Sequence, residues 1–110
     1  MSNKLILKGL GASAGEVEGQ AKVFLPGDDA GSFPEGAIMV TTLTDPTMVM
    51  AMMKAAAIVS DMGGITSHPA ILSREMGIPC VVNSKIGTST IKDGQKIKVD
   101  GAKGEVYEMD

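Results

Sequence analysis

Hydrophobic and polar residues alternate in several stretches of the chain, with short apolar runs between them. From position 17 to position 23 the odd residues are apolar or small and the even ones are polar, within the stretch 16–25. Residues 96–100 alternate in the same way, and residues 105–108 follow after a glycine-containing turn. This period of two predicts half-buried strands, the last two joined as a hairpin. The apolar runs predict further strands at 5–8 (closed by Gly9 and Gly11), 37–41, 57–60 and 80–82.

Helix signals occur at two places between these strands. Thr44-Asp45-Pro46 is typical of a helix start and predicts a helix over the methionine-rich residues 47–54. A second helix is expected at 69–76, ended by Gly77 with Pro79 just beyond. Residues 26–36 and 61–67 are predicted loops because they are rich in Gly and polar residues. Many strands with few short helices favour an α+β fold, in one domain spanning residues 1–110.

Composition and charge exclude several classes of function. The hydrophobic fraction of 44% predicts a folded core, although aromatic residues make up only 3%. A net charge of −3 with no basic stripe argues against nucleic-acid binding. The single cysteine cannot form an internal disulfide. No apolar stretch is long enough for a signal peptide or a membrane span, so we expect a cytoplasmic protein with no membrane partner.

The candidate chemistry lies between Gly63 and Val82, where the chain carries its one histidine and its one arginine. Proline disfavours helical geometry in the residue before it, so His68 is expected to be the N-cap and Pro69 the first helical residue. The positive end of a helix there would stabilise a phosphoryl group on the imidazole. Gly63 and Gly64 would leave room for a bulky donor.

Simpler interpretations stand beside this one. His68 could be a surface or capping residue, Gly63-Gly64 an ordinary turn, and Thr66 and Ser67 plain caps or donors to a phosphate oxygen. The methionines at 48, 50, 52 and 53 are typical of packing, and Cys80 is expected to be buried and inert.

Other catalytic chemistries lack the necessary residues. A structural zinc site needs about four Cys or His ligands, and Cys80 and His68 are the only ones in the chain. No metal site is therefore expected. The motifs of serine hydrolases and P-loop nucleotide-binding proteins are both absent.

The string from Gly63 to Val82 resembles the signature of the phosphoenolpyruvate-utilising enzyme mobile domain. The shared pattern is two glycines, a Thr, a small residue and His, then a helix with an Arg and a Gly-Ile-Pro exit. Segments 44–46, 54–59, 93–94 and 100–106 also resemble the family, so the likeness covers about residues 11–107. Pro69 departs from the usual Ala, and Asn83 stands where Gly is common.

The resemblance implies a three-layer β/β/α swivelling domain in which His68 is transiently phosphorylated. It implies a phosphotransferase component that shuttles a phosphoryl group between a nucleotide site and a phosphoenolpyruvate- or pyruvate-type site. Those sites would lie on an ATP-grasp or helical partner domain and on a phosphoenolpyruvate-binding barrel, in cis or in trans. No cofactor is then expected on this domain, because Mg²⁺ and ATP or phosphoenolpyruvate would belong to the partners.

Two further residues have roles open to interpretation. Thr66 matches a position that a regulatory kinase modifies in the dikinase branch of the family. Arg74 lies about 120° around the helix from His68, so we assign it to docking, with a solvated surface arginine as the alternative.

Two other functions remain open. One is a non-catalytic swivelling module with a structural or interaction role, and the other is a regulatory fragment that binds anions without covalent transfer. The intact Thr66-Ser67-His68 triplet favours the carrier, because a structural module does not need it.

Overall fold

The computed structural model describes residues 4–109, which form a sheet-rich fold with three short helices. The strands are β1 Lys4–Lys8, β2 Leu10–Ser13, β3 Glu16–Val23, β4 Ile38–Thr41, β5 Ala57–Ser60, β6 Cys80–Val82, β7 Lys96–Asp100 and β8 Glu105–Glu108. The helices are α1 Val49–Met52, α2 His68–Met76 and α3 Gly87–Thr90, with 3₁₀ turns at Ala30–Ser32 and Pro46–Met48. None of these helices, within residues 4–109, has the length and apolar character that crossing a bilayer requires.

The strands form one eight-stranded sheet in the order β1-β8-β7-β3-β4-β5-β6-β2. Strands β3 to β6 run parallel to one another, whereas the other pairings are antiparallel. The long strand β3 belongs to both parts, because its residues 16–20 pair with β7 and its residues 21–23 pair with β4. The sheet therefore consists of a parallel part, edged by the antiparallel strand β2, and an antiparallel part, and the two parts share β3.

Strands β4 to β6 are buried on both faces, as their continuous apolar runs predict. In β4, Ile38 and Val40 join a core cluster with Ile97, Val99 and Val106 of the antiparallel part. Met39 between them joins a second cluster with residues of α1 and α2. Full burial of one such side chain stabilises the fold by about 1.5–3 kcal/mol. The antiparallel strands thus cover one face and the helices the other, which confirms the predicted α+β, three-layer β/β/α fold.

The sequence analysis did not predict one strand, β2, and one helix, α3. Strand β2 was missed because Gly9 and Gly11 suggested a break. In the structure these glycines let neighbouring backbone segments approach closely. A Cβ at Gly9 would lie 2.4 Å from the Val82 carbonyl oxygen. A Cβ at Gly11 would lie 2.4 Å from the Gly101 carbonyl oxygen. Helix α3 was also missed, and the helix expected over residues 47–54 is shorter, at Val49–Met52 after a 3₁₀ turn.

Candidate functional site

The carboxyl ends of the parallel strands bring the candidate site together at one edge of the sheet. The segment after β4 carries Thr44, and the loop after β5 leads to His68. Backbone hydrogen bonds tie the two segments, from Asp61 N–H to the Thr41 carbonyl (2.9 Å) and from Met62 N–H to the Thr42 carbonyl (2.9 Å). Groups 24 residues apart in sequence are therefore held side by side.

The imidazole of His68 is exposed and is held through one of its ring nitrogens. Its Nδ1 lies 2.6 Å from Oγ1 of Thr44, which is only 9% exposed. Within residues 4–109 the other nitrogen, Nε2, has no hydrogen-bond partner. Asp45 caps the following 3₁₀ turn by accepting from the Thr47 N–H (2.8 Å), which fixes the backbone beside Thr44. This arrangement orients the ring and leaves Nε2 accessible.

The helix start differs by one residue from the sequence prediction, so His68 as N-cap was wrong. Ser67 is the N-cap, with extended backbone angles (φ −75°, ψ 166°), and its carbonyl accepts the first helical bond from Ile71 (3.0 Å). His68 is the first helical residue and Pro69 the second. Pro69 is tolerated there because the N–H that it lacks would have no acceptor within the helix.

Ser67 closes the tight turn that precedes the helix. Its hydroxyl donates to the Gly64 carbonyl (2.6 Å), and its N–H donates to the same oxygen (3.0 Å). Gly63 has a φ of +112°, and a Cβ there would lie 2.8 Å from the Ser67 hydroxyl. Gly63 is thus needed for both its conformation and its small size, whereas a Cβ at Gly64 would meet open space.

The remaining predicted site residues lie around this loop. Thr66 is exposed, two positions before the imidazole. The Arg74 guanidinium donates from Nη1 to the Ala12 carbonyl (2.6 Å) and from Nη2 to the Ile65 carbonyl (2.7 Å). The phosphate contact of Ser67, the regulation of Thr66 and the docking role of Arg74 stay predictions.

Sequence reasoning missed Asp61, the first residue of the loop. Its carboxylate is 8% exposed and accepts hydrogen bonds from the hydroxyls of Ser84 (2.8 Å) and Thr88 (2.5 Å) and from the Thr88 N–H (3.3 Å). A Cβ at Gly87 would lie 2.8 Å from this carboxylate, so a larger residue there would displace the carboxylate. An aspartate directly after the predicted strand 57–60 was the one available signal.

The loop after β6 contains the second departure from the family pattern. Asn83 has a φ of 56° and Lys85 a φ of 65°, both in the left-handed region. Asparagine is among the few non-glycine residues that adopt this region readily. Asn83 therefore adopts this conformation at little steric cost.

Cys80 lies beneath the first turn of α2 and is buried, as expected. Its thiol donates to the Pro69 carbonyl (3.8 Å). Burial raises the pKa of this thiol to about 11, so at neutral pH it stays protonated.

Residues 33–104 match the family described as "PEP-utilising enzyme, mobile domain". The chain belongs to this family. It is 53% identical over 105 residues to a probable phosphoenolpyruvate synthase of Archaeoglobus fulgidus, covering 96% of this chain and 14% of that relative. It is also 53% identical to a phosphoenolpyruvate synthase of Pyrococcus furiosus, covering 94% of this chain and 13% of that relative. The chain therefore spans about one seventh of the length of these relatives.

The fold also resembles a solution structure of Enzyme I. The TM-score is 0.62 at 30% identity, and the match covers 72% of this chain and 33% of that solved chain. Both comparisons agree with the family resemblance deduced from the residues between Gly63 and Val82.

Proposed function

We propose that the chain is a phosphoryl carrier in which His68 is transiently phosphorylated on Nε2. The observation that carries this proposal is the contact between His68 Nδ1 and Thr44, which occupies one ring nitrogen of an exposed histidine and leaves the other without a hydrogen-bond partner within residues 4–109. Membership of the mobile-domain family supports it.

In the loading step the Nε2 lone pair attacks the phosphorus of a donor. The N–P bond forms as the bond from phosphorus to the donor's leaving oxygen breaks, and that oxygen keeps the electron pair. For this attack the ring proton must reside on Nδ1, where the N–H donates a hydrogen bond to Thr44 Oγ1. If Nδ1 later loses that proton, the same hydroxyl can donate to Nδ1, because a hydroxyl both donates and accepts.

The start of α2 supports the loaded state. His68 is the first helical residue, at the end of the helix where N–H groups lack helical acceptors, and the positive helix end would favour an anion on its ring. Each such interaction with an anion contributes roughly 0.3–1 kcal/mol at an exposed position. Phosphoryl transfer needs a positioned nucleophile and charge stabilisation more than further covalent chemistry.

The donor and acceptor sites belong, in this proposal, to partner domains in cis or in trans. The relatives named phosphoenolpyruvate synthase are about seven times longer than this chain, which leaves room for such domains in them. We propose an ATP-grasp or helical nucleotide-binding domain as one partner and a phosphoenolpyruvate-binding barrel as the other. The carrier would swivel between them, and Mg²⁺ would bind with the nucleotide or phosphoenolpyruvate at those partners.

Intact-mass spectrometry tests the loading step. The chain is incubated with Mg²⁺, ATP or phosphoenolpyruvate, and a phosphoenolpyruvate synthase whose own mobile domain has been removed. We expect a gain of roughly 80 Da, the mass of one phosphoryl group, which mild acid removes and base does not. The gain should vanish in His68→Ala and persist in the buried-thiol control Cys80→Ala.

Two outcomes would exclude the proposal. A gain that survives His68→Ala or resists acid would place the phosphate on a hydroxyl. No gain with any donor and partner would favour a non-catalytic swivelling module.

A further inference from the structure

Arg74 connects three parts of the molecule near the imidazole. It lies in the last turn of α2, and its two terminal nitrogens bind different carbonyl oxygens. One is that of Ala12 in β2, at 2.6 Å, and the other is that of Ile65 in the loop before His68, at 2.7 Å. The guanidinium therefore bridges the sheet edge and the loop.

The middle of this loop has few other attachments. The side chains of Ile65 (57% exposed) and Thr66 are exposed, so burial does not hold them. The Ser67 bonds close the turn on the Gly64 carbonyl, one residue before Ile65. Within residues 4–109, Arg74 is the one hydrogen-bond donor to the Ile65 carbonyl.

We propose that Arg74 is a positioning residue that fixes the loop conformation from which His68 accepts its phosphoryl group. This inference rests on the proposed carrier function. A peptide group is planar and trans, so turning the Ile65 carbonyl towards Arg74 turns the Thr66 N–H the opposite way. Holding that carbonyl dipole on the guanidinium keeps the peptide in one orientation while an anion approaches the neighbouring imidazole.

The chemistry of arginine suits this role better than that of lysine. Two donors in a rigid, planar fork reach two separate carbonyls at once, whereas an ammonium on a flexible stem acts as a point charge. A lysine at position 74 would keep the charge and lose the bridge. A docking role and a positioning role for Arg74 predict different kinetics. Loss of a docking residue raises the partner concentration needed for half-maximal loading, whereas loss of a positioning residue lowers the maximal loading rate.

The test compares Arg74→Gln and Arg74→Lys with the wild type, with Lys92→Gln as a control that removes an exposed positive charge elsewhere. Two quantities are measured. Amide exchange of Ser67 by NMR reports the loop turn in the free chain. Single-turnover loading of His68 is followed as the concentration of the partner fragment is varied.

For Arg74→Gln we expect Ser67 exchange to rise and the maximal loading rate to fall, each by about tenfold, as for loss of a charge-assisted hydrogen bond. The concentration of partner fragment that gives half the maximal loading rate should stay within about twofold of the wild-type value. Arg74→Lys should recover only part of the maximal rate. Lys92→Gln should match the wild type, and urea unfolding should show that all variants fold.

Unchanged Ser67 amide exchange and an unchanged maximal loading rate in Arg74→Gln would overturn the inference. A change confined to the partner concentration at half-saturation would also overturn it, because that is the result expected for docking. Full rescue by Arg74→Lys would also contradict it, because charge alone would then suffice. If the wild type takes up no phosphoryl group, the carrier function fails, and the exchange comparison still decides whether Arg74 holds the loop.

Discussion

Asp61 and His68 lie at opposite ends of one loop, at the same edge of the sheet, in contrasting surroundings. Asp61 is buried, and its carboxylate accepts hydrogen bonds from Ser84 and Thr88. His68 is exposed, and within the described residues one hydrogen bond, to Thr44, holds its ring. One polar group is fully bonded inside the protein, while the other keeps a nitrogen free at the surface.

The contrast separates support from chemistry. A buried polar group must be hydrogen-bonded, so Asp61 ties the loop after β6 to the start of the histidine loop. A nucleophile needs an accessible lone pair, so His68 has to remain incompletely bonded. Substitutions at the two positions should therefore affect different properties, stability at Asp61 and phosphoryl loading around His68.

The largest effect on stability is expected for Asp61→Ala. Removal of the carboxylate leaves the hydroxyls of Ser84 and Thr88 unpaired, and we expect a loss of about 3 kcal/mol in the free energy of unfolding. Urea denaturation measures it, with the exposed Glu35→Ala as the control, expected to stay within about 0.5 kcal/mol. A loss below about 1 kcal/mol for Asp61→Ala would mean that the buried cluster does not support the fold.

Thr66→Asp should act on loading and leave stability unchanged. Its carboxylate would lie two residues before the nucleophile and repel an incoming phosphoryl group, which also mimics phosphorylation at this position. We expect loading to fall about a hundredfold, equivalent to about 2.7 kcal/mol in activation free energy. Thr66→Asn is the matched neutral control and should load normally. Normal loading by Thr66→Asp would refute the repulsion argument.

Cys80 allows the buried side to be tested by pH. Burial raises the pKa of its thiol from 9.0 to about 11, so the folded state holds the proton more tightly than the unfolded state. The contribution of the protonated thiol to the free energy of unfolding is fully present below about pH 9. It falls by about 2 kcal/mol as the pH rises towards 11. In Cys80→Ala the free energy of unfolding, measured by denaturation at each pH, should lack this part of the decrease at alkaline pH. Identical pH profiles for the two proteins would show that the thiol does not contribute.

The smallest effect is expected for Thr44→Val, which removes the hydroxyl that orients the ring. Loss of one hydrogen bond of about 1 kcal/mol should slow loading by roughly fivefold. Thr44→Ser keeps the hydroxyl and should load at nearly the wild-type rate. Equal single-turnover rates for Thr44→Val and Thr44→Ser would show that the Nδ1 contact does not matter for loading.

Local patterns were enough to predict much of this molecule. Alternation and apolar runs located most strands, and the glycine loop with its resemblance singled out His68. Thr44 and Asp61 were missed as site residues because their partners lie 24 and 23 positions away in sequence. Strand β2 was missed because Gly9 and Gly11 allow close approach to the Val82 and Gly101 carbonyls, contacts that only the folded chain creates.

The most direct test of the carrier function is delivery of a phosphoryl group by the isolated, loaded chain. The chain is labelled with ³²P, purified away from donor and partner, and mixed with pyruvate and the phosphoenolpyruvate-binding part of a phosphoenolpyruvate synthase. We expect the label to leave His68 and appear in phosphoenolpyruvate, and His68→Ala never to carry label. Label that stays on the protein, or that is released only as inorganic phosphate, would contradict the carrier function.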